Sequence, residues 1–257
     1  TLRYSKGEVV DTITTTFDGF VTSKELYLGK YEVQEIEAPY GMVLNDEVHN
    51  VELTYAGQNV AVTETSTSFY NERQKVEISL EKSLEINELF GIGNNGEIQN
   101  ISFGLFAAED IVSVSGTVIP ADGLIEIVTL DENGKAVMTS DLPFGKYYVK
   151  ELVTDEHYKL NNTKYPVEFA YAGQDTETVK IAVNNGEKIE NELIYGSVSG
   201  IKKDENGEAL GGAVIGLFAS SDTEFTKDNA LMTTTSAEDG SFSFANIPYG
   251  EWVVREI

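Results

Sequence analysis

Apolar and polar residues alternate in short runs along most of this chain, and three of these runs are nearly identical. They read GKYEVQE at residues 29–35, GKYYVKE at 145–151 and GEWVVRE at 250–256. Because successive side chains of a β-strand point to opposite faces, the aromatic residue, the valine two positions later and the final glutamate share one face. Each run predicts a strand whose apolar face ends in a carboxylate, namely Glu35, Glu151 or Glu256. Burying an ionised carboxylate is costly unless it is paired or neutralised, so the pattern predicts buried partners.

Candidate partners recur at fixed distances from two of these glutamates. The motif YAGQ at 55–58 and again at 171–174 begins 20 residues after the preceding inward glutamate (55 − 35 and 171 − 151). After each motif an asparagine, Asn71 or Asn191, follows an apolar residue two positions earlier. The spacing predicts that both amides lie on the apolar face of a strand.

A lysine follows each asparagine by 11 residues, Lys82 in the first case and Lys202 in the second (82 − 71 and 202 − 191). Lys82 ends the alternating run 76–82 and is expected to point inward. For the second lysine the alternation leaves a choice, because Lys203 would share an inward face with Ile201. Only the matched spacing favours Lys202.

The repeat length is 120 residues (202 − 82), so the chain holds about two units, cut in the middle of a unit at both ends. We expect residues 1–73 to be the C-terminal part of one domain, without its first strand. Residues 74–193 would form a complete domain, and 194–257 the N-terminal part of a third. This arrangement predicts a fragment of a longer tandem array.

The complete unit is expected to contain nine strands, with an irregular segment at 83–100 and a turn at 131–134. The predicted strands are 75–82, 101–107, 111–119, 123–130, 136–140, 146–152, 167–171, 178–183 and 188–193. Such short alternating runs are typical of an all-β sandwich.

Composition narrows the function. The net charge of −25, from 43 acidic and 18 basic residues, opposes nucleic-acid binding. The absence of cysteine excludes disulfides, thiolate metal sites and a cysteine nucleophile. The acidic turns at 131–134 and 204–207 lack the spacing of a calcium loop, and the two histidines are not at equivalent positions, so no metal or cofactor is expected. No run approaches the length of a membrane span.

Several motifs resemble the Cna B-type, or SpaA-like prealbumin-fold, domains of Gram-positive surface adhesins and pilins. They are GGAVIGLF at 211–218, IPYG at 247–250, SFGLF at 102–106, LPFG at 142–145, the Val-x-Glu strands, the inward lysines and the terminal-strand asparagine. The resemblance covers essentially the whole chain. It implies tandem Ig-like, prealbumin-like β-sandwiches in an elongated array on the extracellular, cell-wall-anchored surface of a Gram-positive bacterium. It also implies an intramolecular isopeptide bond between a lysine and an asparagine, assisted by an acidic residue.

Transferred residue by residue, the resemblance makes Lys82 and Asn191 the bond partners and Glu151 the assisting acid. Partial sets remain at Glu35 with Asn71 and at Lys202 with Glu256. The chemistry is consistent with burial, which disfavours charge and so favours a neutral amine and a protonated carboxyl. The reaction would occur once per domain, so the chain is not expected to be an enzyme with a diffusible substrate.

Each of these residues also has a simpler interpretation. Lys82 fits a lysine on an edge strand that keeps its ammonium in water. Asn191 fits a turn before the next domain, and Glu151 fits an ordinary salt bridge.

Two further functional classes stay open. A glycan- or host-protein-binding sandwich without the bond would use exposed aromatics such as Tyr40, Tyr158 and Tyr165, or the loop 83–100. An accessory domain of a large secreted glycosidase or protease is the other. For the favoured stalk we expect a monomer, with any host matrix protein or glycan bound by other parts of the full-length protein.

Overall fold

The computed structural model describes residues 2–112, 116 and 118–257, and it divides into two compact units. Unit 1 comprises the residues up to Gln74 together with Tyr171–Glu177. Unit 2 comprises Lys75–Ala170 and Thr178–Ile257. The described residues are almost entirely strand and loop, which confirms the predicted all-β class.

The described part of unit 1 has one antiparallel pair of strands, β1 (Gly29–Gln34) and β2 (Val48–Leu53). In the described part of this unit no hydrophobic side chain is fully buried. The second YAGQ motif belongs to this unit: the side chain of Gln174 accepts a hydrogen bond from the Ala38 amide at 2.8 Å, and its carbonyl accepts one from the Leu44 amide at 2.9 Å. Hydrogen bonds rather than a core therefore organise unit 1.

The first part of unit 2 is a sandwich of two sheets. Its strands are β3 (Lys75–Leu84), β4 (Ser102–Ala107), β5 (Ile111–Val112), β6 (Val118–Ile119), β7 (Leu124–Thr129), β8 (Lys135–Met138), β9 (Gly145–Val153), β10 (Tyr165–Phe169), β11 (Thr178–Ala182) and β12 (Ile189–Asn191). One sheet has the order β10-β9-β4-β7. In the other, β3 pairs with β8 and, in parallel, with β11 and then β12.

Alternating side chains from both sheets form one buried cluster, as the sequence predicts. Ile78 and Leu80 of β3 meet Phe103 and Leu105 of β4 in this core, and each is at most 3% exposed. Burial of such side chains contributes roughly 1.5–3 kcal/mol each. The first strand of this part, β3, thus lies at the centre of its sheet, beside the last strand, β12.

The predicted strand 111–119 is wrong as a single element. The described residues there form a short antiparallel hairpin, β5 with β6, in which Ile111 pairs with Ile119. Gly116 has a φ of 82°, which a continuous strand does not adopt. Residues 113–115 and 117 of that prediction lie outside the described residues. The other predicted strands are found within a few residues of their expected bounds.

The three repeated runs have the same local structure. The Tyr147 hydroxyl donates to the carbonyl of Pro143 at 2.6 Å, four residues earlier. The equivalent Tyr31 hydroxyl and the Trp252 ring N–H bond the carbonyl oxygens four residues before them, at 2.7 and 2.9 Å. The repeat visible in the sequence is therefore a structural repeat.

The last part of unit 2 has five strands in two small sheets, β13 with β16 and β15-β14-β17. They are β13 (Tyr195–Ile201), β14 (Val214–Ala219), β15 (Met232–Thr235), β16 (Ser241–Pro248) and β17 (Trp252–Glu256). Its core includes Leu217 and Phe244, and Phe90 from the irregular segment 83–100 packs against it. The rings of Phe90 and Trp252 meet edge to face at 4.9 Å.

The segment 83–100 is also tied to the connection after β12. The Glu85 carboxylate accepts hydrogen bonds from the Leu193 amide at 2.9 Å and the Tyr195 hydroxyl at 2.7 Å. A 3₁₀ turn, Glu97–Asn100, ends the segment. None of the described helices is long and apolar enough to cross a membrane.

Candidate functional site

Three strands of unit 2 bring Lys82, Glu151 and Asn191 together in the core. Lys82 on β3 is 2% exposed, Glu151 on β9 is 0% exposed and Asn191 on β12 is 2% exposed. In the parallel pairing of β3 with β12, Lys82 lies opposite Ile189 and Leu84 lies opposite Asn191, so the lysine and asparagine side chains share a face. Glu151 reaches them from the opposite sheet.

The carboxamide of Asn191 is held by hydrogen bonds. Its Nδ2 donates to Glu151 Oε1 at 2.8 Å and Oε2 at 3.0 Å, and to Thr154 Oγ1 at 2.9 Å. Glu151 Oε2 also accepts from the backbone amide of Asn161 at 2.6 Å. The carbonyl oxygen Oδ1 of Asn191 is buried and has no hydrogen-bond partner among the described residues. An unpartnered buried carbonyl is uncommon and suggests a site set up for another purpose than stability.

The amine of Lys82 is held against β12, the strand that carries this amide. Its Nζ donates to the backbone carbonyls of Ile189 at 3.0 Å and Ser83 at 3.2 Å. Burial lowers the pKa of Lys82 to about 8, although the charges of Glu151 and Glu190 oppose the shift. The amine is therefore much more readily neutral than that of an exposed lysine.

The pKa of the Glu151 carboxyl shifts in the opposite direction to that of Lys82. Burial raises the pKa of Glu151, against the opposing effects of the Asn161 amide, the Lys82 charge and the Asn191 amide. Burial therefore favours the neutral form of both groups, the free amine of Lys82 and the protonated carboxyl of Glu151. The arrangement combines a nucleophilic amine, a carboxamide and a proton carrier in a water-poor core.

Unit 1 holds half of such a site. Asn71 Nδ2 donates to Glu35 Oε2 at 2.6 Å and to the Val43 carbonyl at 3.0 Å, and the Asn45 amide donates to Glu35 Oε2 at 2.7 Å. Asn45 follows Glu35 by 10 residues, as Asn161 follows Glu151. Asn71 lies outside the strands, contrary to the prediction, and both Glu35 and Asn71 are only half-buried.

The last part of unit 2 holds the other half. Lys202 Nζ lies 3.3 Å from Glu256 Oε2 and donates to the Lys203 carbonyl at 3.1 Å, as Lys82 does to Ser83. Lys203 instead forms an isolated bridge with Ala209. Of the two lysines that the sequence left open, Lys202 is therefore the one that lies beside Glu256.

The simpler interpretations do not fit the complete site. Lys82 is not a snorkelling lysine, because its side chain is buried, and Asn191 lies in β12 rather than in a turn. The idea of an exposed aromatic at Tyr158 is also wrong, since Tyr158 is 2% exposed and donates to the Glu85 carbonyl at 3.0 Å. Of the other two aromatics, Tyr165 is half-buried and Tyr40 is exposed. In the described part of the chain no group of three or more histidine or acidic residues could hold a metal ion.

Comparison with known proteins places this architecture. A sequence model described as the SpaA prealbumin-like fold domain matches residues 1–67, 91–187 and 196–257. The trypsin-resistant surface T6 protein of Streptococcus pyogenes serotype M6 is 32% identical over 141 residues, which are 53% of this chain and 24% of that protein. Fold and site define a protein of prealbumin-like β-sheet domains, one of which holds a lysine, a glutamate and an asparagine buried in its core. This chain belongs to the SpaA prealbumin-like fold domain family.

One similar solved structure supports the fold. The Bacillus anthracis TIE protein has a TM-score of 0.63 at 22% identity, over 95% of this chain and 39% of that one. A C-terminal fragment of the pilus adhesin SpaC from Lactobacillus rhamnosus GG is also similar, with a TM-score of 0.41 at 14% identity over 71% of this chain and 75% of that one. The chain thus spans about a quarter of the T6 protein and about two fifths of the TIE protein.

Proposed function

We propose that this chain is a stalk or spacer segment of a pilin-like or adhesin-like protein on the outer surface of a Gram-positive bacterium. In this proposal residues 74–193 form a complete domain, sealed by an isopeptide bond between Lys82 and Asn191 that the domain makes by itself. Residues 1–73 and 194–257 are parts of neighbouring domains. The supporting observation is the burial of Lys82, Glu151 and Asn191 in one core, where Asn191 is hydrogen-bonded to Glu151 and Lys82 to the carbonyl of Ile189, two residues before Asn191. Family membership and the similarity to a streptococcal surface protein agree with the location.

The reaction needs no external reagent. The neutral amine of Lys82 attacks Cγ of Asn191, and the protonated carboxyl of Glu151 donates its hydrogen to the carboxamide oxygen. A half-turn of the carboxamide relative to the hydrogen-bonded arrangement described above brings Oδ1 onto that hydrogen. Glu151 then carries the amine proton to Nδ2, the Cγ–Nδ2 bond breaks and ammonia leaves, and the oxygen returns its hydrogen to Glu151 as the C=O bond forms again. One C–N bond forms and one breaks, and holding the groups together in the folded core supplies the high effective concentration that amide aminolysis requires.

The bond would have a mechanical consequence that suits a stalk. It would close a loop of 109 residues (191 − 82) between the first and last strands of the domain. Tension entering at β3 would leave at β12 through one covalent link, because these strands are neighbours. The hydrogen bonds of the sandwich between them would carry little of the load. Any host matrix protein or glycan would be bound by other parts of the full-length protein.

Intact mass under denaturing conditions tests the proposal. The purified chain should be lighter than its sequence mass by about 17 Da, one lost ammonia, and Lys82→Ala should remove this deficit relative to its own sequence mass. Lys180→Ala is the matched control, because Lys180 lies on the same sheet with a side chain that is 75% exposed. A wild-type chain at its full sequence mass would refute the bond and leave a plain β-sandwich module.

A further inference from the structure

Thr154 is a polar group at the site that the strand pattern does not reveal. It follows the end of β9 by one residue, so it lies outside the alternation that places Glu151. Its Oγ1 is nevertheless 2.9 Å from the amide nitrogen of Asn191, the atom that would leave as ammonia. Thr154 is half-buried and reaches the site from the exit of the strand.

The hydrogen-bond capacity of the amide shows what this contact does. A carboxamide nitrogen carries two hydrogens. The Glu151 carboxylate, with both oxygens within 3.0 Å, can take one of them, and the Thr154 hydroxyl takes the other. Without the hydroxyl, only the Glu151 carboxylate would accept from Nδ2 among the described residues, and the buried amide could turn more freely about its last side-chain bond.

A hydroxyl is the suitable partner because it both accepts and donates hydrogen bonds. It can accept from Nδ2 in the observed orientation and donate to Oδ1 once the carboxamide has turned toward the protonated carboxyl. A backbone carbonyl could serve only the first orientation. The half-site in unit 1 has such a carbonyl, that of Val43, and the residue three positions after Glu35 is Ala38.

We infer that Thr154 positions the Asn191 carboxamide for attack by Lys82 and is a fourth member of the cross-linking site. The inference rests on the proposed isopeptide bond. Thr154 transfers no proton and forms no covalent bond; it acts only through hydrogen bonds. It orients the carboxamide in both of its hydrogen-bonded states while Glu151 transfers the protons.

The test is the rate of ammonia loss in the chain of 257 residues. Wild type, Thr154→Val, Thr154→Ser and the exposed control Thr163→Val are synthesised in a cell-free system and quenched in denaturant at intervals, and the cross-linked fraction is read by intact mass. We expect Thr154→Val to react about tenfold more slowly, equivalent to about 1.4 kcal/mol in the barrier. Thr154→Ser and Thr163→Val should stay within about twofold of wild type, because the first keeps the hydroxyl and the second changes an exposed side chain but keeps the backbone hydrogen bond of residue 163 to Asn161.

A folding defect is separated from a positioning defect in the Lys82→Ala background, where no bond can form. There Thr154→Val should retain the protease resistance of Lys82→Ala alone. A wild-type rate in Thr154→Val, or a Thr154→Ser variant as slow as the valine variant, would overturn this inference and leave the bond itself intact. Loss of the folded state in the doubly substituted chain would also overturn it, since the effect would then be structural. If wild type never loses ammonia, both proposals fail.

Discussion

The complete site of unit 2 and the half-site of unit 1 share a glutamate–asparagine pair but not its surroundings. In both, the asparagine amide donates to the carboxylate, and a backbone N–H 10 residues after the glutamate donates to the same carboxylate. Among the described residues, only unit 2 has both side chains of the pair buried, and there a buried lysine, Lys82, lies in the same core. In our proposal the pair alone is a structural hydrogen bond, and it becomes reactive only where a core removes water and adds an amine.

Removal of the bond should have the largest effect. Lys82→Met fills the lysine volume without the amine, and the unfolding free energy of unit 2 should fall by about 4 to 5 kcal/mol, the entropy expected for a closed loop of this length. Denaturant unfolding measures the loss, with Lys180→Ala as the control. A loss below about 1 kcal/mol would mean that the complete site is no more stabilising than the half-site.

Replacing Glu151 by glutamine should have the second largest effect, and the same change at Glu35 should have none. Glu151→Gln keeps a hydrogen-bonding side chain but cannot carry a proton, so cross-linking should slow by about 10²-fold or more. The matched change Glu35→Gln should leave the mass deficit unchanged, because no lysine accompanies that pair in the described part of unit 1. Intact mass measured at intervals after synthesis checks both variants. Equal rates in wild type and Glu151→Gln would exclude Glu151 as the proton carrier.

The pH dependence of the reaction should sharpen the comparison further. The reactive form has a neutral Lys82 and a protonated Glu151, and the form with both groups charged has the same number of protons. A change of pH does not alter the ratio of these two forms, so the rate should stay level as long as the two groups together keep that proton. Above the Lys82 pKa of about 8 the proton is lost, and the rate should fall about tenfold per pH unit. Refolding of unreacted chain from denaturant into buffers of rising pH, followed by mass, tests this. A rate that keeps rising above this pH would indicate that Glu151 acts without its proton.

The pH dependence of stability has the opposite sign and can be read in Asn191→Ala, which cannot cross-link. The folded-state pKa of Lys82 lies below its ordinary value of 10.5, so the unfolded chain binds more protons between about pH 8 and 10.5. Unfolding free energy should therefore rise across this window, by at most about 3 kcal/mol. Adding Lys82→Met should abolish the rise.

The second half-site should show the smallest effect. The Lys202–Glu256 pair has side chains that are 24% and 52% exposed, so Lys202→Ala should cost less than about 1 kcal/mol, and less still at high salt. The mass deficit should not change. Loss of the mass deficit in Lys202→Ala would mean that Lys202, and not Lys82, forms the bond.

The sequence predicts the complete site because strand alternation places side chains reliably where a strand is long and buried on one face. The strand β3 has alternating burial up to Lys82, and Glu151 follows the same rule in β9. The rule cannot choose between Lys202 and Lys203, since adjacent residues belong to opposite faces and either register is consistent. It also misses Thr154, which lies beyond the end of its strand.

Other failures have the same origin in contacts distant along the chain. The segment 83–100 has no periodicity, so its sequence suggests a free loop. In the structure Phe90 packs against Trp252, 162 residues later (252 − 90), and no local pattern encodes that contact. Similarly, the separation of β5 from β6 goes with the positive φ of Gly116, a single residue within an otherwise strand-like run.

Because β3 pairs in parallel with β12, the proposed bond would also show whether the domain has folded. These strands are separated by more than 100 residues, since the Lys82 amine bonds the Ile189 carbonyl 107 positions away. Contacts of such long range are slow to form, because the loop between them must be closed first. The bond would thus be made only after the whole domain has been synthesised and assembled. A loss of one ammonia would then be a permanent mark that distinguishes a correctly finished domain from an incomplete or misfolded one.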